Sequence, residues 1–364
     1  VKKKHLGYGF GLLLALAAIT WLVLRWQRSG FRWTEFAQAV EGIDWNWMIP
    51  AILLALTTYV GRAIRWEIML RPLCGRTSFS GLLSSTIIGF TAVVLFGRAG
   101  EPVRPYLIAK RHNVVFSTQV AAWLVERMLD LLLVLLLFGL ALSQVSRSSV
   151  QPGPHMRMIL ETGGYAAGVA AAVAVAILTA LRLFQGRVHE RLRDALGFLP
   201  ELLRNKVVEF AVAFDHGMRA TRDLRSTALL VLYTAAEWLI IAGSFWCILK
   251  AFPVTHEFRI TDVIILLGFV VFGNVIQLPG IGGGMQLTTV LVLTEFFGVT
   301  VEAASGIALV LWLITFVSVV PIGLGLAFHD GLKWRSLRNI ALQNQATSEG
   351  SHVDPNDLRR DAHS

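Results

Sequence analysis

Long apolar runs alternate with short charged intervals along this chain, and the runs have the length of membrane crossings. A hydrocarbon layer of about 30 Å takes roughly 20 residues of helix. Apolar stretches of that order occupy 6–24, 45–66, 118–142, 158–181, 227–249 and 303–327, which predicts six full transmembrane helices. Two further apolar stretches, 79–111 and 263–297, are interrupted midway by Gly97-Arg98-Ala99-Gly100-Glu101-Pro102 and by Pro279-Gly280-Ile281-Gly282-Gly283-Gly284. Glycine costs helix entropy and proline removes a backbone donor, so each stretch is expected to be a broken or re-entrant helical hairpin.

Composition agrees with the pattern. With 55% apolar and 16% charged residues, the 364-residue chain reads as an all-α polytopic integral membrane protein. Residues 1–330 are expected to form one transmembrane domain, which excludes a separate catalytic domain of ordinary size. The first apolar run follows Lys2, Lys3 and Lys4 and extends to Leu24, beyond a signal-peptide core, so it predicts an uncleaved anchor. The segment 182–226 mixes basic and acidic residues with Leu and Val and predicts amphipathic helices on the cytoplasmic lipid surface. Residues 331–364 read as a polar, largely disordered cytoplasmic tail. Cys74 and Cys247 are far apart and give neither a disulfide framework nor a zinc site.

Orientation follows from Lys and Arg, because basic loops resist translocation. If both interrupted stretches return to the side they entered, most of the 33 Lys and Arg fall on one side. The amino and carboxyl termini are then cytoplasmic, with the protein in a plasma (bacterial inner) membrane. The first hairpin opens to the cytoplasm and the second to the outside. Residues 79–142 and 263–327 then form two units of one plan and opposite orientation, an inverted repeat of arm, Gly-rich break, second arm and long crossing helix. Transporters place substrate sites at the midplane between such breaks.

The charges inside the apolar runs are the candidate chemistry. Pro102 suits the first position of a new helix, whose exposed N–H groups attract anions, and Arg98 and Arg104 flank it with forked donors suited to phosphate. Gly100 and Glu101 complete this candidate head-group site, together with Arg127. Closure by Glu101 on Arg104, one turn on, is the competing reading. Glu126, Arg127 and Asp130 share one crossing helix, where each Arg or Asp costs about 2.5–3.5 kcal/mol to insert. They form either a structural ion cluster or a polar pathway. Glu237, alone in its run, needs a cation, with Arg98, Arg104 or Arg127 as expected partners. Gln286 follows the second break as a candidate gating residue, with Gly97, Pro102, Pro279, Gly280, Gly282 and Gly283 as the breakers. Arg62 and Arg65 close the second run and are expected to snorkel to the cytoplasmic interface.

No His-Glu-x-x-His, Cys-x-x-Cys or Walker motif occurs. No cofactor, metal or nucleic-acid partner is expected, nor ATP-driven pumping by this chain alone. On the same grounds the chain is expected not to be an enzyme.

Three motifs carry a resemblance: Gly97-Arg98-Ala99-Gly100-Glu101 with Arg104, then Glu126-Arg127-Met128-Leu129-Asp130, then Leu278-Pro279-Gly280-Ile281-Gly282-Gly283. In that order and spacing they resemble the transmembrane region of lysylphosphatidylglycerol synthases and their stand-alone, flippase-like relatives, without the aminoacyl-transfer domain. The resemblance implies lipid transport: movement of an anionic phospholipid or polyprenyl-linked lipid between leaflets by a flippase or scramblase, with these positions lining the path and a lipid-modifying enzyme as a possible partner. Gln286 stands where a Glu is expected in that family. A soluble-anion transporter and an intramembrane transferase, or glycosyltransferase accessory, acting on lipid phosphates are the alternatives.

Overall fold

The computed structural model describes residues 30–75, 77–147, 169, 172, 224–273, 277–278 and 282–331. The predicted runs 6–24 and 158–181, nearly all of 182–226 and the tail from 332 lie outside the described residues, apart from the isolated positions 169 and 172.

Ten α-helices are described: α1 (Trp33–Glu41), α2 (Trp45–Cys74), α3 (Phe79–Phe96), α4 (Val103–His112), α5 (Phe116–Arg147), α6 (Leu224–Ala251), α7 (Ile260–Gly273), α8 (Gly284–Phe297), α9 (Val301–Trp312) and α10 (Val320–His329). A π turn at Leu313–Val317 joins α9 to α10. Pro321 lacks the N–H that would extend a regular ladder back to Val317, and there Ser318 N–H instead reaches Leu313 O at 2.9 Å. The expectation of a wholly helical chain is amended at one place, a two-residue antiparallel ladder that pairs Gln277 with Gly283 and Leu278 with Gly282.

Four described segments are long and apolar enough to cross a membrane: Trp45–Pro72, Phe79–Gly100, Arg225–Ala251 and Val301–His329. Local chemistry sets their ends. The Asp44 carboxylate accepts the Asn46 N–H at 2.9 Å to start α2, and Ser78 Oγ accepts the Gly81 N–H at 3.3 Å to start α3. Asn113 closes α4 in the left-handed region.

Gly97 adopts φ +63, and the 3₁₀ turn Gly97–Gly100 folds the chain back along α3. A Cβ on Gly100 would lie 2.3 Å from Ala92 O, and one on Gly89 2.5 Å from Arg104 Cβ. Arg111 donates to Gly81 O at 2.8 Å near the start of α3. α3 and α4 are therefore an antiparallel hairpin whose two ends meet at its base. α7 and α8 form a second hairpin. Gly273 packs against Thr288 and Gly284 near its tip, and the Phe258 and Phe297 rings stand 4.7 Å apart at its base.

The segment Val301–His329, about 44 Å long at 1.5 Å per residue, orients the two hairpins. It leaves the base of the second hairpin at Val301. Its other end meets the base of the first, where Asp330 bonds Ser84 and Arg111. The hairpins thus open to opposite ends of the molecule, and the strand Gln277–Leu278 lies against the Gly97–Gly100 turn, so their tips meet. The first arm of each hairpin packs on the far part of the other unit's long helix: Gly323 of α10 against Thr91 of α3, and Gly268 of α7 against Ala141 of α5. α2 and α6 run antiparallel between these units, tied by Asp44 N–H to Ala251 O at 2.9 Å and Ser244 Oγ to Ala51 O at 2.9 Å.

Candidate functional site

Four helices deliver charged side chains to one buried cluster. On α2, Arg62, Arg65 and Trp66 sit at i, i+3 and i+4, one helical face. α5 supplies Glu126, Arg127 and Asp130, α6 supplies Thr234 and Glu237, and α4 supplies Arg104.

Arg65 is the hub. Its Nη1 donates to Asp130 Oδ1 at 2.8 Å and to Thr234 Oγ1 at 2.9 Å. Its Nη2 donates to Glu126 Oε1 at 2.6 Å and lies 3.3 Å from Glu237 Oε2. Glu126 also accepts from Trp66 Nε1 at 2.8 Å and from both terminal nitrogens of Arg104 in a forked pair. Arg62 Nε stands 2.7 Å from Glu237 Oε1, an ion pair without hydrogen-bond alignment. Arg127 Nη2 reaches Asp130 Oδ2 at 3.2 Å. Aromatic faces cover the cations: Arg62 lies 4.2 Å from the Phe90 ring centre, and Arg104 4.8 Å from Trp66 and 5.2 Å from Phe90.

Two features of this cluster bear on its chemistry. Four guanidinium groups face three carboxylates in direct contact, with the Glu101 carboxylate near enough to act on Arg127. Burial also falls off in one direction: the side chains of Arg65 and Glu126 are 1% and 0% exposed, those of Asp130 and Arg127 15% and 38%. In a dry interior, removing one member of such a set costs about 3–5 kcal/mol because its partners keep uncompensated charge.

Several expectations are corrected by these contacts. Arg65 does not snorkel: α2 continues past it to Cys74, and the side chain is buried. Glu237 pairs with Arg62 and Arg65 rather than with Arg98, Arg104 or Arg127. Arg104 turns to Glu126 on α5 instead of closing on Glu101. Pro102 holds the cap position immediately before α4, as its fixed φ allows. Gly97 and Gly100 form the 3₁₀ turn, with Glu101 N–H donating to Arg98 O at 3.1 Å; Arg98 is exposed and Glu101 half-buried, close enough to act on the Arg127 charge.

Gln286 has a structural task. Its Oε1 accepts the Gly283 N–H at 2.7 Å and caps α8. Gly282 and Gly283 belong to the short ladder, and Pro279 and Gly280 lie outside the described residues. No group of His, Cys, Asp and Glu suited to a metal ion occurs among the described residues.

Arg62, Arg65, Trp66 and Thr234 are the members that sequence reasoning missed. The signal was present in the apolar Ile68-Met69-Leu70 that follows Arg65. An arginine with hydrophobic residues on both sides of it is inside a span, not at its edge.

Residues 10–323 match the family described as the lysylphosphatidylglycerol synthase TM region. The chain belongs to that family. Nothing in the match indicates an aminoacyl-transfer domain. The chain is also 29% identical over 133 residues to "Glycosyltransferase AglD" of Haloferax volcanii, a match that covers 36% of this chain and 20% of that relative. The chain therefore spans about a fifth of the length of that curated relative. No solved structure matches it. The glycosyltransferase match overturns the expectation that a chain without a recognisable catalytic motif is not an enzyme: a relative similar to part of this chain bears an enzyme's name. Membership of the family makes this a membrane protein associated with lipid.

Proposed function

We propose that the chain moves an anionic amphiphile, a phospholipid or polyprenyl-linked lipid, between the leaflets of a plasma membrane. Its head group is taken up beside Arg98, Gly100, Glu101, Arg104 and Arg127 while its acyl chains stay in lipid. In this reading the two hairpins are re-entrant, six helices cross, and both termini are cytoplasmic. Glu126, Asp130 and Glu237 line or gate the polar path.

One observation carries the reading: a buried cluster of four arginines stands behind the place where the tips of two oppositely opening hairpins meet. The 10-residue α4, about 15 Å long, is too short to cross and carries Arg104 at its start beside the cluster.

The test is a leaflet assay. Vesicles containing the protein and a fluorescent phosphatidylglycerol are expected to lose label to an outer-leaflet quencher faster than empty vesicles, and faster than with a phosphatidylcholine label. Arg98→Ala, at an exposed position, is expected to slow this at least tenfold in protein that still folds and reconstitutes. Equal rates for protein-containing and empty vesicles would sink the proposal.

The match to glycosyltransferase AglD favours a second reading, chemistry on a lipid-linked sugar. Transfer of radiolabelled sugar from a nucleotide or polyprenyl donor in the same vesicles distinguishes it.

A further inference from the structure

The charge cluster is a set of anion sites already filled by the protein's own carboxylates, and its members differ in what happens when one contact opens. Both oxygens of Glu126 are taken, by Arg104, Arg65 and Trp66. Displacing Glu126 would strand a fully buried charge. Glu237 bridges Arg62 and Arg65, but Arg62 is held under the Phe90 ring and is less than half as exposed as Arg127.

Asp130 is different. Its two oxygens go to separate cations: Oδ1 to buried Arg65 at 2.8 Å, and Oδ2 to partly exposed Arg127 at 3.2 Å. If Arg127 lets go, Asp130 keeps its hydrogen bond to Arg65, so no buried carboxylate is orphaned. Arg127, its side chain 38% exposed, then offers its terminal nitrogens, with Glu126 Oε1 3.8 Å from Nη2 and Glu101 of the first break near it. A guanidinium binds phosphate and carboxylate by the same two-donor geometry, so one can replace the other at little cost in contacts.

Resting on the transport reading above, we propose that the Arg127–Asp130 pair is the exchange point of the site: a phosphate oxygen of the incoming head group takes the place of Asp130 on Arg127, and Asp130 retakes Arg127 when the phosphate leaves. Asp130 is then a positioning residue that acts as an internal competitor. It keeps head-group affinity low enough for release, and Arg127 is the residue that selects a phosphate.

The ligand chemistry is an anionic phosphate oxygen, from a lipid head group or from free phosphate. The experiment measures binding of dioctanoyl phosphatidylglycerol, inorganic phosphate and dioctanoyl phosphatidylcholine to the full chain in detergent. Asp130→Asn, which retains an oxygen for Arg65, is expected to bind the phosphatidylglycerol about tenfold more tightly than the unaltered protein and to release it more slowly. Arg127→Gln is expected to bind at least tenfold more weakly. Arg127→Gln/Asp130→Asn is expected to bind no better than Arg127→Gln, because the gain from losing the competitor runs through Arg127. Inorganic phosphate following the same order identifies a free-phosphate site; a response to phosphatidylglycerol alone identifies a lipid site.

Asp130→Asn that melts like the unaltered protein yet binds no more tightly overturns the exchange, as does a double variant that keeps the gain. A variant too unstable to purify is replaced by Asp130→Ser, with the same expectation. The two proposals fail separately. Affinities in the expected order with no leaflet transfer by the unaltered protein leave the exchange standing and remove the transport reading; brisk transfer with unchanged affinities does the reverse.

Discussion

Behind the first break, four arginines and three carboxylates crowd between α2, α4, α5 and α6, whereas the second break closes with a two-residue ladder and one glutamine cap. Between Asp262 and Glu295, and again between Glu302 and His329, the second unit has no charged residue at all. Its surroundings form the largest apolar core among the described residues, including Leu266, Phe269, Leu293, Ile307 and Leu311. Two hairpins of like plan are thus held by different physics. A broken helix needs only its backbone satisfied, which Gln286 and the ladder do for the described residues of the second. The ions of the first exceed that need, which is why the proposed head-group site is placed in the first unit.

The largest expected effect is at the hub. Arg65→Ala leaves Glu126, Asp130 and Glu237 each short of a cation in a buried setting, a loss of about 3–5 kcal/mol. Thermal unfolding in detergent reads it. No single polar substitution in α7, α8 or α9 is expected to match it, and a melting temperature unchanged by Arg65→Ala would erase the contrast between the two halves.

Next is Gly100→Ala. Its Cβ would meet the backbone at Ala92, 2.3 Å from the carbonyl oxygen, and a backbone partner cannot rotate away. Overpacking of this kind costs about 1–3 kcal/mol and forces α4 from α3, taking Arg104 from Glu126. Thermal unfolding in detergent is expected to show that loss, together with faster amide exchange in α4. An unchanged melting temperature and unchanged exchange would mean the close approach is not needed.

These contacts mark where sequence reasoning succeeds and where it stops. Helix breaks at Gly97 and Pro102 are local, written in residues that cannot sustain a helix, and the apolar runs among the described residues give helices whose ends fall close to the expected places, except that α2 runs on past 66 to Cys74. That Arg127 reaches Asp130 is equally local, one turn along one helix. Partners on different helices are another matter. The pairing of Glu237 with Arg62, or of Glu126 with Arg104, depends on how α2, α4, α5 and α6 stack, and every intramembrane arginine is an equally good mate until that stacking is known. Gln286 is ambiguous for the opposite reason: a polar residue after a break looks functional, and three residues from Gly283 it is also at capping distance.

Gln286→Ala tests that reassignment on the second break. Losing the bond to Gly283 N–H is expected to cost about 1 kcal/mol and to speed amide exchange at 283–286, with exchange in α4 unchanged. Transport in the leaflet assay is expected to fall less than twofold. A collapse of transport with normal stability would return Gln286 to the functional group and make the two breaks alike.

The smallest effect is at the base of the first hairpin, where Asp330 accepts from Arg111 and from Ser84 at 2.9 Å and ties α10 to both arms. Partial burial pushes the Asp330 carboxyl upward, but the Ser84 hydrogen bond, the Arg111 charge and the contact with His329 outweigh it, so its pKa lies below the ordinary carboxylate value. A depressed carboxylate contributes stability that is full above its unfolded-state pKa and is lost as pH falls through the folded one. Stability is therefore expected to decline on acidification below about pH 4, and less steeply in Asp330→Asn, which lacks the titrating group. At neutral pH that substitution is expected to cost under about 1 kcal/mol, since the pair is only partly buried. Because the second hairpin's base is closed by the apolar Phe258–Phe297 contact, a double variant that also carries Phe297→Ala should add its loss at every pH without changing the acid slope. An acid slope that did change would show that the two bases, at opposite ends of one 29-residue segment, communicate.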